Sequence, residues 1–350
     1  AVGERVDERH LRSVGTTIRQ LEGRRSRTVS HTACLAHSLS RTQPRRLFVA
    51  RTGSSARRRS RAEYDRVYRS GVDEFDYVVV GGGSAGCVVA ARLSEDPSVS
   101  VCLLEAGGEG RDVLIRVPLG FGAAMPKGIN SWDFHTGPQA GFNGRRGFQP
   151  RGKTLGGSSA INAMIYARGP RSDYDNWASM GNPGWSFDDV LPYFKKSEAN
   201  AIHGDSPLHG ADGPLHVTNL RSPSPLNDVF LDACQAHGIP FNPDLNGEAH
   251  HGCYHVQVTQ KDGERLSAAA AFIHPNLDRP NLDVRTGAHI LKVLFDQRTA
   301  VGVDYEQGGR TRTVRARREV IMSAGAFGTP QILMASGLGP GAHLQEMGIR

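Results

Sequence analysis

No stretch of this 350-residue chain approaches the roughly 18 to 20 consecutive apolar residues that a membrane-crossing helix needs; its apolar strings are short, Tyr77-Val78-Val79-Val80 among the longest. No membrane span is expected. Cysteine is scarce and poorly placed for cross-linking. Cys34, Cys87, Cys102, Cys234 and Cys253 are odd in number, far apart, and include no C-x-x-C pair. That argues against a disulfide frame and for buried thiols in a reducing compartment, with the cytoplasm as the expected location. Lysine is missing from positions 1–70, which hold 17 arginines against 6 acids. Positions 71–350 carry 25 basic and 29 acidic side chains, so the formal net charge of +7 belongs to the N-terminal segment and the body is mildly acidic. Nucleic-acid binding by the body is therefore not expected.

What is present falls into two textures. Residues 1–70 contain clusters such as Arg24-Arg25-Ser26-Arg27 and Arg57-Arg58-Arg59-Ser60-Arg61 without a sustained period of 2 or 3.6. They read as a disordered basic tail or leader. An organelle transit peptide would make the location mitochondrial, but Glu4, Asp7, Glu8 and Glu22 count against one. A nucleic-acid-binding arm and sequence upstream of a natural start are the other readings. From Phe75 onward, short apolar runs, glycines and helix-length segments alternate as in a parallel sheet with crossover helices. At 38% hydrophobic and 22% charged, the composition is that of a soluble globular protein. No internal repeat or long low-complexity tract follows residue 70.

One local pattern carries chemistry. Asp76-Tyr77-Val78-Val79-Val80 reads as a buried strand, runs into Gly81-Gly82-Gly83-Ser84-Ala85-Gly86, and continues into the helix-like Cys87-Val88-Val89-Ala90-Ala91-Arg92-Leu93. Strand, loop and helix in that order are the context a G-x-G-x-x-G dinucleotide fingerprint requires. Gly81 is expected to permit the turn, Gly83 to let the backbone approach a pyrophosphate, and Gly86 to let helix and strand pack. Ser84, Ala85 and Gly86 open the helix, whose free N–H groups suit phosphate. A second buried strand, Val99 to Leu104, ends at Glu105, placed to accept hydrogen bonds from ribose hydroxyls, with Ala106 beside it. This unit alone does not separate NAD from FAD.

Two longer segments do. Arg151-Gly152-Lys153-Thr154-Leu155-Gly156-Gly157-Ser158-Ser159-Ala160-Ile161-Asn162, continuing to Tyr166-Ala167-Arg168-Gly169, resembles the first signature of the glucose–methanol–choline (GMC) oxidoreductases. Gly325-Ala326-Phe327-Gly328-Thr329-Pro330-Gln331-Ile332-Leu333-Met334-Ala335-Ser336-Gly337-Leu338-Gly339 resembles the second. The resemblance runs from about Glu74 to the last residue and is nearest to choline dehydrogenases and bacterial alcohol dehydrogenases. It implies an α/β fold: a Rossmann-like FAD-binding domain over 71–205 and 262–350, with 206–261 opening an α+β substrate domain. It places the flavin ring against Thr154, Gly157 and the run Asn162, Ala163, Met164, Ile165, and adenine against the backbone of Ile290. Read physically, glycines 156 and 157 let main-chain N–H groups reach a flat ring, while the Asn162 side chain pins the next turn. Some relatives tether FAD through a histidine ahead of the first signature; Gln149 stands at that position, so FAD is expected to be non-covalent.

The same resemblance implies oxidation of a primary alcohol, choline-like, aliphatic or aromatic, by hydride transfer to flavin N5, with electrons passed to a quinone, another carrier or oxygen. The histidine that takes the hydroxyl proton lies in the family's C-terminal part, expected beyond Arg350, so no catalytic residue is named. Of the 14 histidines, His250, His251 and His255 lack acidic or cysteine partners at zinc-site spacing, with His255 expected in a strand. No metal is expected. His203, His209 and His216 lie in the Gly/Pro/Ser-rich stretch 203–225 and are expected to be solvated or bonded to backbone. The competing readings are a non-catalytic flavin-binding or interaction protein, and an NAD-dependent dehydrogenase resting on the glycine fingerprint alone.

Overall fold

The computed structural model describes residues 72–349; the readings of residues 1–70 lie outside the described part. In chain order the first elements are β1 (Asp73–Val80), α1 (Ser84–Leu93), β2 (Val101–Leu104), α2 (Val113–Arg116), α3 (Gly120–Ala124), β3 (Ser131–Trp132) and β4 (Arg151–Gly152). Then come α4 (Arg171–Ser179), α5 (Phe187–Ser197), β5 (Glu198–Asn200), β6 (Leu215–Asn219), α6 (Pro225–Ala236), β7 (Gln257–Val258), β8 (Gln260–Lys261) and β9 (Glu264–Arg265). The last are β10 (Leu282–Arg285), β11 (His289–Asp296), β12 (Thr299–Gln307), β13 (Arg310–Met322), α7 (Gly325–Ala335) and α8 (Gly341–Glu346).

Six strands form the main sheet in the order β10-β2-β1-β13-β12-β11. The first four are parallel, as expected of a Rossmann-like unit, and the last two are antiparallel. The sheet is thus mixed rather than wholly parallel. Its antiparallel edge is a meander closed by tight hairpins; Gly308 and Gly309, at φ +59° and +72°, take the left-handed conformation that a two-residue turn between twisted strands requires.

Alternation along β1 sets the two cores. Tyr77 and Val79 face a cluster with Val101 and Leu103 of β2, Cys87, Ala90 and Ala91 of α1, and Ala269, Phe272 and Ile273. Val78 and Val80 face the other side with Cys102, Leu104, Val293, Val303, Tyr305 and Val314, where Ile332 of α7 also packs. Small residues on the buried face of α1 let it lie close on the sheet. Capping is explicit elsewhere: Ser186 and Asp189 form a capping box at α5, and the Ser224 hydroxyl accepts from Leu226 N at α6.

A second sheet, β5-β6-β7, stands on a charged cluster that sequence reading did not foresee. His209 is 2% exposed, with Nδ1 2.9 Å from Glu198 Oε1 and Nε2 3.0 Å from Asp244 Oδ2. Arg168 donates to the other Glu198 oxygen and, at 2.6 Å, to Leu208 O. His209 is therefore neither solvated nor backbone-bonded, because two carboxylates converge on it. Burial alone would lower its pKa, but the Glu198 hydrogen bond and the Glu198 and Asp244 charges raise it. Burial likewise pushes Glu198 up, and His209, Arg168, Asn200 and the Gly210 amide outweigh it and bring it down. His216 is bonded to backbone, Nδ1 donating to Gln260 O at 2.6 Å. His255 lies ahead of β7 rather than within a strand, 3.3 Å from Asp228. Among the described residues no group of histidine, cysteine and acidic side chains has the arrangement of a metal site, and no helix is long and apolar enough to cross a membrane.

Candidate dinucleotide site

Five segments meet at the C-terminal ends of β1 and β2. The β1 strand ends at the fully buried Val80, and Gly81 turns the chain at φ +96°, where a Cβ would lie 2.7 Å from Ser323 O and Ala324 Cα. Gly86 sits so close to the turn that a Cβ would lie 1.9 Å from Gly81 O. Gly83 differs: a Cβ there would only touch Gly157 Cα and Ser323 O, each at 3.9 Å, so its missing side chain relieves no clash and leaves that flank of the loop uncrowded. It also N-caps α1, and no described side chain caps that helix, so the first-turn amides at Ser84, Ala85 and Gly86 keep their hydrogens free. An uncapped helix start beside an open glycine is a ready anion site.

Glu105 closes the next side. Its Oε2 accepts from Gly82 N at 2.9 Å and its Oε1 from Gly107 N at 2.7 Å, fixing the carboxyl against the glycine loop. Burial pushes its pKa up to about 7, against the pull of the Gly107 and Gly82 amides. Ala106 follows, half-buried. The third segment packs on both: Gly156 N donates to Gly82 O at 2.7 Å, Leu155 N to Gly108 O at 2.8 Å, and the buried Thr154 hydroxyl to Gly108 O at 3.3 Å. Gly156 and Gly157 have φ of +94° and +53°, and a Cβ on Gly157 would strike Gly83 Cα at 2.6 Å. The fourth segment arrives through Gly287 N and Ala288 N, which donate to Gly107 O and Glu105 O at 2.8 Å each. Ile290 of β11, two residues on, pairs with Tyr305 of β12 and packs its side chain into the core behind.

Asn162, Ala163, Met164 and Ile165 lie beyond the 3-10 turn Gly157–Ala160. Asn162 Oδ1 accepts from Met164 N at 3.0 Å and holds Met164 at φ +63°, a conformation that a non-glycine residue adopts only when its surroundings impose it. Met164 is thereby buried, while Asn162, Ala163 and Ile165 stay exposed, Ile165 at 53%.

Two residues of the site escaped sequence reading. Ser323, whose N–H donates to Val80 O at 2.7 Å, forms the fifth segment; its hydroxyl is buried with no hydrogen-bond partner among the described residues. The β13-Ser323-Ala324-Gly325-α7 stretch is a second strand, turn and helix, with Gly325 at φ +81°, and that pattern was the available signal. Arg265, 4% exposed, donates to Asn162 Oδ1 at 2.9 Å; nothing in its local sequence marks it.

An orphaned buried hydroxyl, an open glycine flank, free helix N–H groups and a buried carboxylate with spare lone pairs fit a phosphate-bearing dinucleotide. Comparison with known proteins agrees with that chemistry. The family model for GMC oxidoreductases matches residues 75–348. The chain is 49% identical over 277 residues to an alcohol dehydrogenase (acceptor) of Pseudomonas putida, covering 79% of this chain and 50% of that protein. It is 43% identical over 286 residues to the mitochondrial choline dehydrogenase of Homo sapiens, covering 79% and 48%. Among solved structures it resembles pyridoxine 4-oxidase from Mesorbium loti, at 34% identity and a TM-score of 0.72 over 79% of this chain and 54% of that one. It also resembles a formate oxidase of Aspergillus oryzae studied for FAD modification, at 30% identity and a TM-score of 0.73 over 80% and 50%. The chain spans about half the length of the curated relatives it matches. By the extent of the family match and these identities, this chain belongs to the GMC oxidoreductases.

Proposed function

We propose that this chain forms the FAD-holding part of an oxidoreductase that converts a primary alcohol to the aldehyde, and that it holds FAD without a covalent bond. The observation that carries this reading is the convergence of the open Gly83 flank, the orphaned Ser323 hydroxyl and the buried Glu105 carboxyl at one end of the sheet, in a chain of this family. The relatives named alcohol dehydrogenase and choline dehydrogenase support an alcohol as substrate. A quinone, another carrier or oxygen would take the electrons.

In this reading the α1 amides and the Ser323 hydroxyl hold the pyrophosphate, and Glu105 accepts from the ribose hydroxyls. Ala106 and the Ile290 backbone border the adenine. Thr154, Gly157 and the run from Asn162 to Ile165 face the ring. Bound flavin supplies the acceptor for the hydride that leaves the alcohol carbon. The chain's own residues bind and orient, and none is assigned the proton-accepting role; His209, committed to Glu198 and Asp244, is not available for it. Residues 71–205 and 262–350 make up the cofactor part, and 206–261, with α6 and β7, opens the substrate side. Gln149, half-buried with its N–H on Phe134 O at 2.8 Å, offers no nucleophile for a flavin tether.

The test is to purify the chain with added FAD, record its visible spectrum, precipitate it with acid, and expose the flavin-loaded protein to an alcohol panel without oxygen. Colour that stays in the supernatant after precipitation supports non-covalent FAD. Bleaching by an alcohol supports the oxidoreductase reading. Flavin bound but never bleached points to a flavin-holding module without activity of its own, and a colourless protein refutes the cofactor assignment.

A further inference from the structure

The described chain buries two arginines in different ways. Arg168 has its charge answered by Glu198, the usual arrangement for a guanidinium removed from water. Arg265 does not. Its Nε donates to Ile115 O at 2.9 Å, and its Nη1 donates to Ser159 O at 3.2 Å and Asn162 Oδ1 at 2.9 Å, all neutral oxygens. Its Nη2 is buried with no partner among the described residues. Glu264, next in the chain, is turned away into an exposed pair with Arg116. Burial pushes the Arg265 pKa down to about 10, which still leaves the group charged at neutral pH. A buried cation with no carboxylate is unfavourable for stability, and a neutral side chain of similar shape would hold the same turn at lower cost. What a neutral side chain cannot supply is the charge.

The charge is also placed where it can act. Ser159 and Asn162 flank the turn that follows Gly156-Gly157, and the Asn162 carboxamide oxygen accepts from Arg265 and from Met164 N together. Arg265 thus ties β9 to α2, through Ile115 O, and to the loop reaching Asn162, 103 residues earlier in the chain.

Resting on the flavin reading above, we propose that Arg265 is a positioning residue of the flavin site: it fixes the Ser159–Asn162 turn and supplies the buried positive charge that answers the negative charge the ring takes up on reduction. The chemical class it serves is an electron-rich, anionic ring edge rather than a substrate carboxylate.

The experiment compares the FAD-loaded chain with Arg265→Met, Arg265→Lys and Arg265→Gln, reading the midpoint potential of the bound flavin and its affinity for sulfite, which adds to the ring as an anion. Arg265→Met should weaken sulfite binding at least tenfold and lower the potential; a tenfold change in a two-electron equilibrium corresponds to about 30 mV. Arg265→Lys should restore most of both. Arg265→Gln keeps an amide donor in the pocket without the charge and leaves the residues facing the ring unaltered, so it should reproduce the Arg265→Met effect and decides the matter if that variant does not fold. A bound flavin in Arg265→Met or Arg265→Gln with wild-type potential and sulfite affinity, whatever the loss of stability, reduces Arg265 to a structural clip and overturns the proposal. A wild-type chain that holds no FAD overturns the flavin reading itself, a separate and earlier failure.

Discussion

With the ribose placed against Glu105 as proposed, FAD binding should depend on protons, and the sign of that dependence follows from the environment of the carboxyl. Its carboxyl is 5% exposed, and burial raises its pKa from 4.5 to about 7. The unfolded chain therefore loses this proton at lower pH than the folded one. For this group, stability of the cofactor-free protein is greatest below the unfolded value, falls as pH rises towards about 7, and levels beyond it, by an amount on the order of 3 kcal/mol. Ribose hydroxyls donate to a carboxylate, so bound FAD favours the charged form and draws the pKa back down. FAD affinity should accordingly climb with pH, approaching tenfold per unit between about pH 5 and pH 7, and flatten above. Glu105→Gln removes the titration and exchanges charge-assisted hydrogen bonds for neutral ones, a loss of about 2 kcal/mol or roughly thirtyfold at alkaline pH. Its amide NH2 would also meet the Gly82 or Gly107 N–H, donor against donor. Fluorescence titration of FAD across that pH range, with calorimetry near pH 6 in two buffers of different ionisation enthalpy to count protons released, reads both effects. A flat affinity profile in the wild type, or an unchanged slope in Glu105→Gln, would refute the reasoning.

Three further outcomes follow from the same geometry. Gly86→Ala places a methyl 1.9 Å from Gly81 O and should destabilise the fold by about 3 kcal/mol or more, read as a lower denaturation midpoint. Gly83→Ala meets nothing nearer than 3.9 Å, so its midpoint should barely move while FAD affinity falls at least about tenfold; retained affinity would show that the open flank is not where the cofactor lies. His209→Leu takes one hydrogen-bond partner from Glu198, which keeps Arg168, and from the partly exposed Asp244, and should cost about 1 to 3 kcal/mol in denaturant unfolding. Because the folded pKa of His209 is raised, its contribution is fully present below the unfolded value of 6.5 and is lost as pH rises through the folded one; Glu198, held low, contributes above 4.5 and loses that as pH falls. Melting curves of the wild type and His209→Leu should therefore converge towards high pH, and a gap that widens there would contradict the assignment.

How much of this was legible depends on how far apart the cooperating residues lie. The β1-α1-β2 unit is local: a buried strand, a glycine turn and a helix of small residues constrain one another between Asp73 and Leu104, so the spacing from the glycine loop to Glu105 could be read directly, and the structure sets the Glu105 carboxyl on the Gly82 amide. The partner of β1 on its other side was not readable, because β13 reaches it from the far end of the described chain, and the antiparallel meander that carries β13 has no counterpart in the glycine fingerprint. Charge shows the same divide more sharply. In sequence, His209 stands beside Gly210 and resembles a loop histidine, yet its environment is assembled from Arg168, Glu198 and Asp244, which arrive on three separate segments. Arg265 is the converse case, a buried charge bonded only to neutral oxygens among the described residues. A pattern of residue types reports which groups can ionise, whereas the protonation of Glu105 and the isolation of Arg265 are set by what packing brings to them or withholds. The electrostatics that would decide how tightly a flavin is held and how readily it is reduced are thus written in long-range contacts, which is why the strand, glycine turn and helix could be read from sequence and the charges around them could not.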